Sequence, residues 1–154
     1  MANKDAIVIL MADDDDDDYL LTKKALKKSK LLNKLARVKD GEELMDYLLH
    51  RRQYADRKSS PRPGVILLDL NMPKKDGREA LTEIKTNDTL KDIPVVIFTT
   101  SKAEEDIYKS YKLGVNSFIT KPVTFEGLIE VIQTLGKYWF EIVALPLSRE
   151  VTKK

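Results

Sequence analysis

Short apolar runs alternate with longer amphipathic segments along the whole chain. The runs are rich in β-branched residues and nearly continuous in hydrophobicity, which is typical of parallel strands covered on both faces. The longer segments repeat apolar residues every three or four positions, as in Phe125, Leu128, Ile129 and Ile132, which indicates helices packed on one face. The pattern predicts strands over 6–12, 35–39, 64–69, 93–98 and 117–120, and helices over 17–30, 41–52, 77–87, 102–113 and 125–140.

Five such strand–helix units predict an α/β fold with a single doubly wound, five-stranded parallel sheet. Three helix starts carry pairs of residues with capping-box spacing, namely Asp40 with Glu43, Asp76 with Glu79, and Ser101 with Glu104. Gly114 is placed to end the fourth helix. Residues 53–63 form a polar, proline-containing loop that is long for a helix–strand connection.

The length of 154 residues fits one domain, which we expect over residues 1–140, with 141–154 as a tail and no separate effector domain. The net charge of +2 gives no argument for binding nucleic acid or a membrane. A basic cluster between residues 51 and 62 lacks a recognition helix and is interpreted as a solvated face. The chain has no cysteine and no signal-peptide pattern, so we expect a cytoplasmic protein.

Residues suited to phosphate and metal chemistry stand at the ends of four predicted strands. Asp13 and Asp14 follow the first strand, Asp69 ends the third, Thr99 ends the fourth and Lys121 follows the fifth. In a parallel sheet these positions share one edge. Three gathered carboxylates repel one another unless a hard cation such as Mg²⁺ binds their oxygens. Asp69 is then a plausible nucleophile toward phosphorus, while the Lys121 ammonium neutralises charge on the transferring group and the Thr99 hydroxyl bonds a phosphate oxygen.

This set of motifs resembles the receiver domains of two-component response regulators, typified by the chemotaxis regulator. The resemblance covers roughly residues 6–138 and depends on four motifs in combination, which are the acidic pair Asp13-Asp14, the segment Leu68-Asp69-Leu70-Asn71-Met72-Pro73 followed by Asp76-Gly77, Thr99, and Lys121-Pro122. It implies the flavodoxin-like strand order 2-1-3-4-5. It also implies a regulator that catalyses only its own phosphorylation and dephosphorylation, and is otherwise not an enzyme.

The resemblance implies a role for each site residue. Asp69 would be the phosphoacceptor. The metal would be Mg²⁺, held by Asp13, Asp14, Asp69 and the backbone carbonyl of Asn71. Thr99 would be the switch hydroxyl, Lys121 the phosphate-pairing amine, and Phe118 the aromatic that turns inward on activation, although Phe118 as an ordinary core residue is an equal competitor. A cis peptide bond before Pro122 is implied as well.

The phosphoryl donor is expected outside the chain. His50 is the only histidine, and its position late in a helix beside Arg51 and Arg52 is typical of a structural or solvated residue. The family's donor is the phosphohistidine of a partner sensor histidine kinase, and output would follow from phosphorylation-biased contacts between proteins.

A narrower resemblance concerns the small stand-alone regulators encoded beside phytochrome-type and other sensor kinases. The loop at 53–63, the acidic residues through Asp18 and the ending at 138–143 are similar to that subgroup, whereas Ala12 and Asp16 depart from its usual residues. It implies a phytochrome-type kinase as partner and a homodimer through helix 4, strand 5 and helix 5. The apolar side chains offered there are those of Ile107, Tyr108, Tyr111, Tyr138 and Trp139.

Other interpretations of the same residues are weaker. Asp15 to Asp18 are expected to cap and lead the first helix, where the helix dipole favours negative charge. A calcium loop starting at Asp13 is excluded, because its sixth position is Asp18 instead of glycine and its twelfth is Lys24 instead of glutamate. An aspartate-nucleophile phosphatase needs an acid two residues after Asp69, and Asn71 stands there. A receiver fold used as a phosphate-independent binding module stays open.

Overall fold

A five-stranded parallel sheet forms the centre of the structure, a computed structural model in which residues 7–137 are described. The strands are β1 (Ile9–Ala12), β2 (Leu35–Val38), β3 (Val65–Leu68), β4 (Val95–Thr99) and β5 (Ser117–Thr120). They lie in the order β2-β1-β3-β4-β5, and every neighbouring pair is parallel. The predicted fold class and the implied strand order 2-1-3-4-5 are both confirmed.

Helices cover both faces of this sheet. Their bounds are α1 (Asp16–Lys28), α2 (Gly41–Leu48), α3 (Gly77–Thr86), α4 (Glu104–Leu113) and α5 (Phe125–Leu135). One core cluster joins the sheet to α2 and α3 through residues such as Leu44 and Ile84, with Leu113 of α4 packed against it. The other joins the opposite face to α1 and α5 through Leu26 and Ile132. Because β1, β3 and β4 are buried along their whole length, their sequences need to be apolar at every position.

The helix starts confirm two of the three predicted capping pairs. The Asp40 side chain accepts from the Glu43 N–H at the start of α2, and Asp76 forms a capping box with Glu79 at the start of α3. The pairing of Ser101 with Glu104 is wrong, because α4 begins after Ala103 without a side-chain cap. The Ser101 hydroxyl donates instead to the Asp106 carboxylate at 2.8 Å, since a charged acceptor makes the stronger hydrogen bond.

The acidic run after β1 starts α1 as expected. Asp15 is the N-cap, and its side chain accepts from the N–H groups of Asp17 and Asp18. At the end of α4, Gly114 adopts a φ of 101°, a left-handed conformation that glycine enters without a Cβ clash. Both positions behave as their residue types predict.

The implied cis peptide before Pro122 is wrong, since residues 7–137 contain no cis peptide bond. Lys121 is directed by β5 instead, where its backbone N–H donates to the Thr99 carbonyl at 2.7 Å. The predicted extension of the last helix to residue 140, the side chains of Tyr138 and Trp139, and the tail at 141–154 lie outside the described residues. No helix within 7–137 combines the length and hydrophobicity needed to cross a bilayer.

Hydrogen bonds connect the loop at 53–63 to α2 and to the residues just after it. A short 3-10 helix, Arg52–Tyr54, begins it. The Tyr47 hydroxyl donates to the Pro61 carbonyl at 2.9 Å, and the His50 ring lies 2.9 Å from the Ser60 carbonyl. His50 therefore has a structural contact in this loop, as its position in the sequence indicates.

Candidate functional site

Strand register brings the predicted site residues to one edge of the sheet. Ala12 is paired with Leu68, so Asp13 and Asp69 leave neighbouring strands side by side. Thr99 is paired with Thr120 on the other side, which places Lys121 one residue further along. The structure thus brings together Asp13, Asp69, Thr99 and Lys121. The first and last of these are more than a hundred positions apart in the sequence.

Asp69 is the centre of this group and is nearly buried, with 5% of its surface exposed. Its Oδ1 atom accepts from the Thr99 hydroxyl at 2.7 Å and from the Asn71 N–H at 3.1 Å. Its Oδ2 atom accepts from the Lys121 ammonium at 3.1 Å. These three donors stabilise a charge that burial would otherwise disfavour.

A cluster of carboxylates fits a divalent cation at this edge. One oxygen each from Asp13, Asp14 and Asp69 lie within 4.8 Å of one another. Asp13 is fully buried, and its Oδ1 atom accepts a hydrogen bond from the Asp15 N–H at 2.9 Å. Burial raises the pKa of the Asp13 carboxyl to about 6, against the opposing effect of Lys121 and of the Asp15 N–H. An all-oxygen set of carboxylates is what a hard divalent metal prefers.

The Lys121 ammonium contacts three carboxylates, those of Asp13, Asp18 and Asp69. It lies 2.7 Å from Asp13 Oδ2 as an ion pair and donates to Asp69 and to Asp18, the last at 2.6 Å. Burial opposes the charge of Lys121, yet the Asp13 and Asp18 carboxylates raise the pKa of Lys121 above its ordinary value. Asp18 was expected only to lead α1. No pattern within the run of six aspartates singles out Asp18, because the direction of its side chain depends on where α1 begins.

The start of α3 presses against the backbone of Asp69. A Cβ atom on Gly77 would lie 2.2 Å from the Asp69 carbonyl oxygen and 2.7 Å from the Leu70 Cα. The Gly77 N–H also donates to the Leu70 carbonyl at 3.0 Å. Only glycine fits this approach, so the Asp76-Gly77 pair fixes the position of the β3–α3 turn.

A charged pair connects α3 to α4 beside the site, and no pattern in the sequence predicts it. Arg78 binds Asp106 through two hydrogen bonds of 2.8 and 2.7 Å. The hydrogen bond from Arg78, opposed by burial, lowers the pKa of the Asp106 carboxyl to about 2. Arg78 also donates to the Leu70 carbonyl at 3.3 Å and to the Asn71 side chain at 3.4 Å. The turn after Asp69 and the start of α4 are therefore connected.

Phe118 lies apart from the carboxylates. It is half-buried on β5, packs against the core under α4, and is paired with Ile97. Its backbone N–H donates to the Tyr111 hydroxyl at 3.1 Å. Asn71, whose backbone carbonyl is a predicted metal ligand, donates its N–H to Asp69 and accepts a hydrogen bond from Arg78 on its side chain.

The fold and the site together define a class, the doubly wound α/β domains with an acidic, lysine-containing site at the carboxyl edge of the sheet. The model of the response regulator receiver domain matches residues 9–133, and the chain belongs to this family of two-component signalling proteins.

Close relatives have names and structures that bear on the site. Over 141 residues the chain is 45% identical to the response regulator Rcp1 of Synechocystis sp., covering 92% of this chain and 94% of that protein. The crystal structure of the phosphorylated cyanobacterial phytochrome response regulator RcpA superposes with a TM-score of 0.80 at 42% identity, covering 87% of this chain and 94% of that one. The Mn²⁺-bound form of Rcp1 gives a TM-score of 0.80 at 44% identity, over 88% and 95% of the two chains.

Proposed function

We propose that this chain is a response regulator in which Asp69 accepts a phosphoryl group from the phosphohistidine of a sensor histidine kinase in the cytoplasm. Mg²⁺ would be held by Asp13, Asp14, Asp69 and the backbone carbonyl of Asn71. The receiver domain extends over residues 1–140, and 141–154 form a tail. Signalling follows from contacts between proteins that phosphorylation favours.

The observation that carries this proposal is the surroundings of the Asp69 carboxylate. One oxygen is held by the Thr99 hydroxyl and the Asn71 N–H, and the other lies 3.1 Å from the Lys121 ammonium. Held from two sides, the carboxylate is oriented for attack. The Lys121 ammonium is placed to receive charge from an incoming phosphoryl oxygen.

The proposed reaction transfers one phosphoryl group from the donor's imidazole to the Asp69 carboxylate. An Asp69 oxygen forms a bond to phosphorus while the phosphorus–nitrogen bond of the donor breaks, and the electron pair stays with the leaving imidazole. The bound Mg²⁺ supplies positive charge against the transferring oxygens. Asn71 stands where a phosphatase would need an acid to protonate the leaving group, and its amide does not ionise near neutral pH, so the site does not fit a phosphatase.

A protein donor fits the surface beside the site. A cleft lined by Leu21, Pro122 and Phe125 borders Lys121 and Asp18, and Leu20 on the same helix is 51% exposed. Apolar side chains next to a charged site are typical of contacts with another protein. The names of the relatives support a kinase of phytochrome type as this donor.

Output is proposed to pass through Thr99 and Phe118 to α4, β5 and α5. When Asp69 carries a phosphoryl group, the Thr99 hydroxyl turns to a phosphoryl oxygen and Phe118 moves further inward. Tyr108 and Tyr111 on α4 are 64% and 50% exposed, and this surface is the proposed homodimer interface.

The test is the intact mass of the protein after incubation with acetyl phosphate and Mg²⁺. We expect a gain of one phosphoryl group in the wild type, and no gain in Asp69→Asn or after chelation of the metal. A gain that persists in Asp69→Asn would move the acceptor elsewhere. Absence of any gain in the wild type, together with no response to beryllofluoride, would support a phosphate-independent binding module instead.

A further inference from the structure

Three carboxylates surround the Lys121 ammonium, and only one of them has no other task in the proposed reaction. Asp13 and Asp69 belong to the candidate metal cluster, and Asp69 is also the proposed acceptor. Asp18 belongs to neither group. It lies on the first turn of α1, where its N–H donates to the Asp15 side chain at 3.1 Å, and its carboxylate lies 2.6 Å from Lys121 Nζ.

The charges at this point change during phosphoryl transfer. An Asp69 oxygen becomes bonded to phosphorus, and the Asp69 carboxylate then loses the negative charge that attracts Lys121. Asp13 would offer an oxygen to the metal, and its attraction to Lys121 would then be weakened. Of the three carboxylates, Asp18 is the one that is neither the proposed acceptor nor a candidate metal ligand, so the reaction leaves its negative charge unchanged.

The environment makes this ion pair stronger than an ordinary surface pair. The Lys121 side chain is 9% exposed and the Asp18 side chain 32% exposed, so water screens their attraction only in part. Asp18 is held on a helix that packs against α5, the element that follows Lys121. Lysine has four rotatable side-chain bonds, and an anchor that limits them reduces the entropy lost when the ammonium binds a phosphoryl oxygen.

We propose that Asp18 is a positioning residue that holds the Lys121 ammonium beside Asp69, ready for the incoming phosphoryl group. This inference rests on the proposed function, because it assumes that Lys121 pairs with that group. It assigns to the acidic run a task beyond starting α1.

The experiment compares Asp18→Asn with Asp17→Asn. Both variants remove one negative charge from the same helical turn, but Asp17 is exposed and has no ion pair within residues 7–137. With acetyl phosphate and Mg²⁺, we expect Asp18→Asn to slow phosphorylation about 3- to 10-fold, and Asp17→Asn to leave the rate at the wild-type value.

Two further readouts separate positioning from structural damage. Mg²⁺ affinity, measured by calorimetry, should fall no further in Asp18→Asn than in Asp17→Asn. In the background of Lys121→Gln, the Asp18→Asn change should have no additional effect on the rate, because its partner is gone. Asp18→Glu, which keeps the carboxylate, should recover a large part of the wild-type rate.

The outcomes distinguish this inference from the proposed function. Equal rates in Asp18→Asn and Asp17→Asn would overturn the positioning role while leaving Asp69 as acceptor. A faster rate in Asp18→Asn would overturn it too and show that Asp18 withholds Lys121 from the phosphoryl group. A wild type that takes up no phosphoryl group would overturn the proposed function and the positioning role together.

Discussion

Asp69 shows how a charged side chain is kept at a nearly buried position. Each of its oxygens has a donor, and the donors come from β4, from the turn after β3 and from the residue after β5. A buried charge without such partners costs on the order of several kcal/mol of stability. The residue types at the strand ends are therefore constrained by the stability of the fold as well as by the proposed reaction.

Thr99→Ala tests the hydrogen bond to Asp69. We expect the free energy of unfolding in urea to fall by about 1–3 kcal/mol, because a hydrogen bond to a charged group is lost inside the protein. Thr99→Ser keeps the hydroxyl and should lose only about 1 kcal/mol, from the missing methyl group. Equal losses in the two variants would contradict the role of the hydroxyl and attribute the effect to packing.

At the scale of single residues, the sequence indicated most of the members of the site but not their full contacts. Asp13, Asp69, Thr99 and Lys121 could be predicted because each comes directly after or at the end of an apolar run. Asp18 could not, since a residue in a run of six aspartates has no distinguishing pattern. Its direction depends on where α1 begins, and a shift of one residue would turn it away.

At the scale of elements, α3 and α4 are connected through side chains and not only through the sheet. Arg78 reaches from α3 to Asp106 on α4, and Ser101 of the β4–α4 loop donates to the same carboxylate. This connection explains the wrong prediction for the start of α4. Capping-box spacing describes local preference, whereas Ser101 is used by a partner that only the folded structure provides.

Asp106→Asn tests this connection through pH. The pKa of Asp106 is lowered to about 2 by Arg78, so its contribution to stability is present above its ordinary value of 3.8 and is lost as pH falls toward 2. We expect Asp106→Asn to lower the free energy of unfolding by about 1 kcal/mol near neutral pH, a value reduced for the partial exposure of Arg78. The difference from wild type should shrink between pH 4 and pH 2.

Asp88→Asn is the matched control for that measurement. The Asp88 side chain is 97% exposed and lies 3.6 Å from Lys91 on the surface. We expect this variant to follow the wild-type stability over the whole pH range. A constant difference for Asp106→Asn down to pH 2 would show that the lost stability is not electrostatic.

At the scale of the whole molecule, the hydrophobic pattern was sufficient for the fold class but not for strand order. Continuous apolar runs indicate strands buried on both faces, and this holds for β1, β3 and β4. The order of the strands depends on where the chain crosses from one side of the sheet to the other, which the hydrophobic pattern does not show. The expected order 2-1-3-4-5 came from the family resemblance. The edge position of β5 is reflected in its half-exposed residues.

Tyr108→Ser tests the proposed homodimer surface. We expect the wild type to sediment as a dimer at micromolar concentration with Mg²⁺ and beryllofluoride. The variant should have a dimer Kd at least about tenfold higher, since it loses an aromatic side chain that the proposed interface would bury. Leu32→Ser is the control, because Leu32 is 68% exposed but lies outside α4, β5 and α5. A wild type that stays monomeric under these conditions would contradict the dimer.

The hydrogen bond between the Phe118 N–H and the Tyr111 hydroxyl has a consequence for how copies of this protein can meet. An outer strand with free N–H groups invites another strand to pair with it, and such pairing leads to open-ended aggregation. Here the Tyr111 hydroxyl on α4 already accepts a hydrogen bond from one of those groups, the Phe118 N–H on β5. A strand that approaches along this edge therefore meets the Tyr111 side chain instead of a free Phe118 N–H, which disfavours continuing the sheet from one molecule into the next.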